Sequence, residues 1–364
     1  MPALAPRTAK PSRILVADDS TFMRRLLTQA LRDAGFDVVG QAADGDEALS
    51  LYRELRPDAM TLDLAMPGMD GIGVLRALRG ERSSLPVVVV SAFSPAHGAR
   101  AVDALAEGAF DLVAKPAFGE PLEQFVRALR DKVSQAATAG PGATLAAPPR
   151  LPAALAPRTA DGASGAARLL ARRAPAASRK VLLIATSTGG PRALAELVPA
   201  LPSPLGAGGM IVQHMPAGFT ASLAQRLDRS SKLTVVEAGG GEVLRPDTLI
   251  LAAGGSHLRL GDDGVARLTD EAAVGGLRPR ADLTIADAAR VFGERLLLVV
   301  MTGMGKDGLK GAREVRARGG RILAQAESTC TVYGMPRAIV EAGLAHAVLP
   351  LGELAEAIAG ETGS

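Results

Sequence analysis

The strongest constraint on this chain is an alternation of short apolar runs with amphipathic stretches, interrupted once by a long segment that has neither. Residues 14–17, 38–41, 59–62, 87–90 and 110–114 have the length and composition of buried strands. Between the first two, Phe22, Leu26 and Ala30 recur every four residues beside Met23, Leu27 and Leu31. That spacing predicts one apolar helix face, with Ser20 or Thr21 as its cap. Such alternation predicts a parallel sheet with helices on both faces and a site at the carboxyl ends of the strands. From residue 181 the pattern resumes, with strands expected at 181–185, 210–213, 249–252, 296–301 and 321–324. A chain of 364 residues exceeds one ordinary core, so two α/β domains are expected. No motif repeats between the halves, which argues against duplication.

Residues 134–178 separate the two series. Ala, Pro, Gly and Arg dominate there, no period of 2 or 3.6 is sustained, and the segment reads as a flexible linker in which Leu169 and Leu170 could form a short helix. The linker also explains the charge. A net +3 taken alone points towards nucleic acid, but residues 134–180 hold seven Lys/Arg against the single acid Asp161, which leaves the rest at about −3. A solvated basic linker is the expected reading, with no nucleic-acid partner. Trp is absent and 3% of residues are aromatic, which disfavours binding by base stacking. One cysteine, Cys330, cannot form an internal disulfide, and no Cys/His cluster has metal-ligand spacing, so a reducing cytoplasm is expected. Residues 1–12 lack an apolar signal-peptide core, and no apolar run reaches the roughly 20 residues that span a bilayer, so neither export nor membrane insertion is expected.

In the first half, Asp18 and Asp19 follow the first strand, Asp63 the third, Ser91 the fourth and Lys115 the fifth. Three carboxylates at one sheet edge repel each other, and a hard cation with oxygen ligands, Mg²⁺, relieves that repulsion. Asp63 can then attack a phosphoryl donor, with Lys115 and the metal neutralising the phosphoryl oxygens and Ser91 donating a hydrogen bond. Taken singly, each acid would more often be a helix cap or a solvated loop residue. Together, Asp18-Asp19, Asp63 with Met66-Pro67-Gly68-Met69-Asp70-Gly71, Ser91-Ala92 and Lys115-Pro116 resemble the receiver domains of response regulators over residues 13–132. The resemblance implies a five-stranded (βα)5 receiver, assigned to residues 13–133, phosphorylated on Asp63. One departure is Leu112, where many receivers carry an aromatic residue.

In the second half, the strand at 181–185 runs into Thr186-Ser187-Thr188-Gly189-Gly190-Pro191, and a helix is expected near Pro191. A serine there lies at a helix N-terminus, where backbone amides can stabilise an oxyanion. The stretch lacks the first glycine of a nucleophile elbow, so taken alone it is weak evidence. Two other strands lead to His214-Met215-Pro216 and to Thr302-Gly303-Met304-Gly305-Lys306-Asp307-Gly308. Ser187, His214 and Asp307 therefore offer a nucleophile, a base and an orienting carboxylate, the set for acyl transfer. His257 is a rival base, and a buried histidine bonded to a carbonyl is the bland reading of either. Residues 300–307 are no phosphate loop, because Val300 stands at the first glycine position and Asp307 replaces the Ser/Thr after Lys306. Cys330 reads as a small buried hydrophobe.

Ser187-Thr188-Gly189-Gly190-Pro191, Gln213-His214-Met215-Pro216 with Phe219-Thr220, Gly254-Gly255-Ser256-His257, the 302–308 loop and Tyr333-Gly334-Met335-Pro336 resemble the CheB family of chemotaxis methylesterases over residues 179–358. Departures are Thr186, Ala253 and Arg280, where Ala, Pro and Ser are commoner, and they could shift substrate preference. The resemblance implies a doubly wound, mostly parallel α/β sheet with Ser187 as nucleophile, His214 as base and Asp307 as carboxylate. It also implies oxyanion support from the Met304 amide and the Thr188 hydroxyl, with no cofactor for the esterase step. The implied reactions are hydrolysis of glutamyl methyl esters on methyl-accepting chemotaxis receptors and deamidation of receptor glutamines. Phosphate would come from a receptor-coupled histidine kinase, with the receiver covering the hydrolase site until it is phosphorylated. A second domain that only binds a partner is opposed by the intact Ser/His/Asp set, and a DNA-binding output by the long strand-rich half.

Overall fold

The computed structural model describes residues 10–92, 95–116, 122–139 and 179–363, which fall in two units with separate cores. The first contains β1 (Arg13–Ala17), α1 (Thr21–Asp33), β2 (Asp37–Ala42), α2 (Gly45–Leu55), β3 (Ala59–Leu62), α3 (Gly71–Gly80), β4 (Val87–Ser91), α4 (Pro95–Ala106), β5 (Asp111–Ala114) and α5 (Leu122–Thr138). The strands are all parallel, in the order β2-β1-β3-β4-β5. β1 after Arg13, and all of β3 and β4, are buried and mostly apolar because helices cover both faces of the sheet. The chain changes direction across the sheet between β1 and β3, which opens a crevice at their carboxyl ends.

Side chains fix where these helices begin. Ser20 accepts the Met23 N–H and Asp70 accepts the Gly73 N–H at 2.8 Å. Asp44 accepts the Glu47 N–H at 2.8 Å, and Glu47 reaches back to accept the N–H of Ala43, the residue before the cap, at 2.7 Å. One expectation for α1 is corrected. Met23, Leu27, Ala30 and Leu31 form the buried stripe, whereas Phe22 is 69% exposed, because it lies one position off the face that meets the sheet. A second correction concerns the start of the linker. α5 continues to Thr138 because Ala136 extends the buried stripe of Phe125, Leu129 and Val133, so residues 134–138 are helical. The remainder assigned to the linker, 140–178, lies outside the described residues.

The second unit contains β6 (Val181–Thr186), α6 (Gly190–Ala200), β7 (Gly209–Gln213), α7 (Phe219–Ser230), β8 (Thr234–Glu237), β9 (Thr248–Leu251), β10 (His257–Leu260) and β11 (Ala266–Thr269). It continues with α8 (Ala281–Phe292), β12 (Leu296–Val300), α9 (Leu309–Ala317), β13 (Arg321–Gln325), α10 (Met335–Glu341), β14 (Ala347–Leu349) and α11 (Leu351–Thr362). Seven parallel strands form one sheet in the order β14-β13-β12-β6-β7-β9-β8. From β6 the chain moves outward through β7, and from β12 it moves outward through β13 on the other side, so the switch in winding falls between β6 and β12. A ligand crevice belongs at the carboxyl ends of these strands.

β10 and β11 form an antiparallel hairpin outside this sheet, tightened by Gly264 at φ +72° donating its N–H to Gly261 at 2.9 Å. Leu258 and Leu260 join the core with Ala281, Ile285 and Ala288 of α8, and the Thr284 hydroxyl donates to the Leu258 carbonyl at 2.6 Å. His257 is therefore the first residue of a strand and not a loop residue. Among the described residues no helix is long and apolar enough to cross a membrane.

Candidate active site and phosphoacceptor site

At the carboxyl edge of the first sheet, Asp18, Asp19 and Asp63 place one carboxylate oxygen each within 4.8 Å of one another. Asp18 and Asp63 are buried and Asp19 is exposed. The Lys115 ammonium lies 2.7 Å from Asp18 Oδ2 and 2.7 Å from Asp63 Oδ2, so it shares its charge between two buried carboxylates. Burial pushes the Asp18 carboxyl above its ordinary range, against the pull of Lys115. Burial would lower Lys115, but its hydrogen bonds to Asp18 and Asp63 outweigh that and raise it. Asp63 Oδ1 accepts the Leu64 N–H at 2.7 Å. Ser91 is buried at the end of β4. The side chains of Asp18, Asp19, Asp63 and Lys115 come together, and Ser91 adjoins them through its carbonyl, which accepts the Lys115 N–H at 2.8 Å. Hard oxygen donors, a surplus of buried negative charge and one exposed ligand fit a divalent cation such as Mg²⁺.

In the second unit the three chemically loaded residues follow three neighbouring strands: Ser187 after β6, His214 after β7, and Asp307 in the loop after β12. Ser187 is 6% exposed and Asp307 is 3% exposed. His214 Nε2 lies 2.7 Å from Asp307 Oδ2. The carboxylate is held from several sides. Ala281 N–H donates to Oδ2 at 2.7 Å, Asp282 N–H to Oδ1 at 3.0 Å, and Gly308 N–H to Oδ1 at 2.9 Å. Burial alone would raise the Asp307 carboxyl, but His214 and these amides hold it well below the usual carboxylate range.

Two polar side chains that sequence reasoning gave no role tie the loops together. The Gln213 amide donates at 2.9 Å to the carbonyls of both Ser187 and His214. The Thr302 hydroxyl donates to the Thr188 carbonyl at 2.9 Å and accepts the Val332 N–H at 3.0 Å. The signal was there: Gln213 is a wholly buried amide at the end of an otherwise apolar strand. A Cβ on Gly303 would lie 2.8 Å from Ser187 Cβ, so the 302–305 backbone passes directly against the serine. Thr188 is buried, whereas the Met304 side chain is 51% exposed.

Residues 182–358 match the CheB methylesterase family, and residues 14–127 match the response regulator receiver domain. A protein-glutamate methylesterase/protein-glutamine glutaminase of Symbiobacterium thermophilum is 42% identical over 98% of each chain. The chain belongs to the CheB methylesterase family. A second relative of the same name, from Thermotoga maritima, is 38% identical over 96% of this chain and 98% of its own. The crystal structure of the Thermotoga maritima CheB methylesterase catalytic domain covers 50% of this chain and 97% of its own, with 42% identity and a TM-score of 0.48.

In this chain the rival base and the rival nucleophile are both held away from catalysis. His257 is fully buried; its Nδ1 accepts the Arg280 N–H at 3.1 Å and its Nε2 faces the Ala272 carbonyl at 3.3 Å. Both ring nitrogens are spent on the backbone, the satisfied arrangement that competes with any catalytic use. The Cys330 thiol is pushed up to about 12 by burial and by Glu327, far from the thiolate a nucleophile needs.

Proposed function

We propose that this chain is a phosphorylation-activated serine hydrolase that removes methyl esters from glutamate side chains of methyl-accepting chemotaxis receptors and deamidates selected receptor glutamines. The observation that carries the reading is the His214–Asp307 pair at 2.7 Å, with the buried Ser187 tied to His214 by the Gln213 amide, which donates to both their carbonyls at 2.9 Å. Because Nε2 is taken by Asp307, Nδ1 is the ring nitrogen left to receive the Ser187 proton. Ser187 Oγ attacks the γ-carbonyl carbon and the carbonyl oxygen takes the negative charge; as the C–O bond of the ester or the C–N bond of glutamine breaks, His214 returns the proton to the leaving oxygen or nitrogen, which departs as methanol or ammonia. A water then repeats the sequence on the acyl-serine and frees the glutamate carboxylate. Among the described residues nothing accepts the Met304 N–H, and this amide, with Thr188, is assigned to the oxyanion.

In the receiver, Asp63 is the phosphoacceptor, Asp18 and Asp19 hold Mg²⁺ with it, and Ser91 and Lys115 bind the phosphoryl oxygens. The metal supplies charge neutralisation for the transferred group. A receptor-coupled histidine kinase in the cytoplasm is the donor this arrangement calls for. To test the reading, methylated receptor fragments incubated with the full chain are analysed by mass spectrometry. Conversion of methyl esters to carboxylates is expected, and unchanged fragments under conditions where the chain is phosphorylated would refute it.

A further inference from the structure

Asp307 does not face His214 alone. Arg280, only 17% exposed in its side chain, lies with Nε 2.8 Å from Asp307 Oδ1 and Nη2 3.1 Å from Asp282 Oδ2, while Nη1 donates to the Val274 carbonyl at 3.2 Å. Its own backbone N–H is the one held by His257. Asp282 is itself buried and accepts the Gly311 N–H at 2.9 Å through Oδ1. The charged or titratable side chains brought against Asp307 are thus His214, Arg280 and, through Arg280, Asp282; Lys306 and Lys310 are exposed. Two buried carboxylates with one guanidinium leave a single negative charge. That charge is cancelled when His214 takes the serine proton.

Resting on the Ser187/His214/Asp307 reading above, we propose that Arg280 is a positioning residue: it neutralises Asp282 and fixes Asp307, so that one uncompensated negative charge acts on the catalytic imidazole. Without it, two carboxylates favour the imidazolium, and the base is free only at higher pH. The test is the pH dependence of kcat/KM for methanol release by the full-length chain. Arg280→Gln moves the acid limb to higher pH by on the order of one unit, about tenfold in rate on that side. Arg280→Lys keeps the charge and stays near wild type. Asp282→Asn alone moves the limb to lower pH, and Arg280→Gln combined with Asp282→Asn brings it back towards wild type. A uniform loss across pH, or a double variant no closer to wild type than Arg280→Gln, overturns the proposal. If Arg280→Gln does not fold, an unmoved limb in Asp282→Asn does the same. Wild type without Ser187-dependent release would overturn the functional reading and this proposal with it, whereas wild-type release with an unmoved limb overturns the proposal alone.

Discussion

His214 follows β7 and His257 opens β10, and their surroundings separate them. His214 meets a carboxylate through one nitrogen, whereas His257 spends both on backbone groups that shape the approach to α8. His214→Ala is therefore expected to cut methanol release by several orders of magnitude, on the order of 10⁴ to 10⁶. His257→Ala should act chiefly on stability, and the reverse ranking in initial-rate measurements would show that the base had been misassigned. Asp307→Asn leaves a carbonyl in place of the charge and disturbs the imidazole it orients, for a loss of roughly 10⁴ in kcat. An unchanged kcat for this variant would remove Asp307 from the mechanism.

At the scale of elements, the three catalytic loops are braced by side chains at strand ends, and the packing there leaves no slack. A Cβ on Gly190, the first residue of α6, would lie 2.0 Å from Gln213 Oε1 and 2.5 Å from Thr186 Oγ1. Gly190→Ala should displace the amide that holds Ser187 and His214, destabilise the second unit by roughly 1–3 kcal/mol and depress turnover. Wild-type rate and melting temperature together would contradict this. Much of the frame was legible beforehand, because fully buried parallel strands such as β4, β6 and β12 are nearly continuous apolar runs. The hairpin was not. In β10 and β11, Arg259 and Arg267 stand among the leucines, and four residues are too few for a period of 2 to stand out. β8 and β14 were missed as short strands at the edges of the sheet, with few buried residues. The site residues were legible as strand-end motifs. The pairing of Arg280 with Asp307 was not, because it depends on a tertiary approach between the start of α8 and the loop after β12.

For the whole molecule, the question is how phosphorylation in one unit reaches chemistry in the other. Both candidate sites lie where the winding of their sheets switches, and each is built from side chains of its own unit. Coupling then acts on access or on population. A receiver that limits access while unphosphorylated makes a chain beginning at residue 140 faster than the unphosphorylated full chain. Equal rates would assign the receiver to recruitment, or to direct activation by its phosphorylated form. Asp63→Ala should keep the low basal rate and lose all response to phosphodonor, since the acceptor carboxylate is gone and the Ser187 site is untouched. The most direct test of the account is methanol release from methylated chemoreceptor by the full chain, with and without a small phosphodonor and Mg²⁺, beside Ser187→Ala. Wild type should release methanol and accelerate with phosphodonor, while Ser187→Ala releases almost none under either condition. Equal release by wild type and Ser187→Ala would contradict the account.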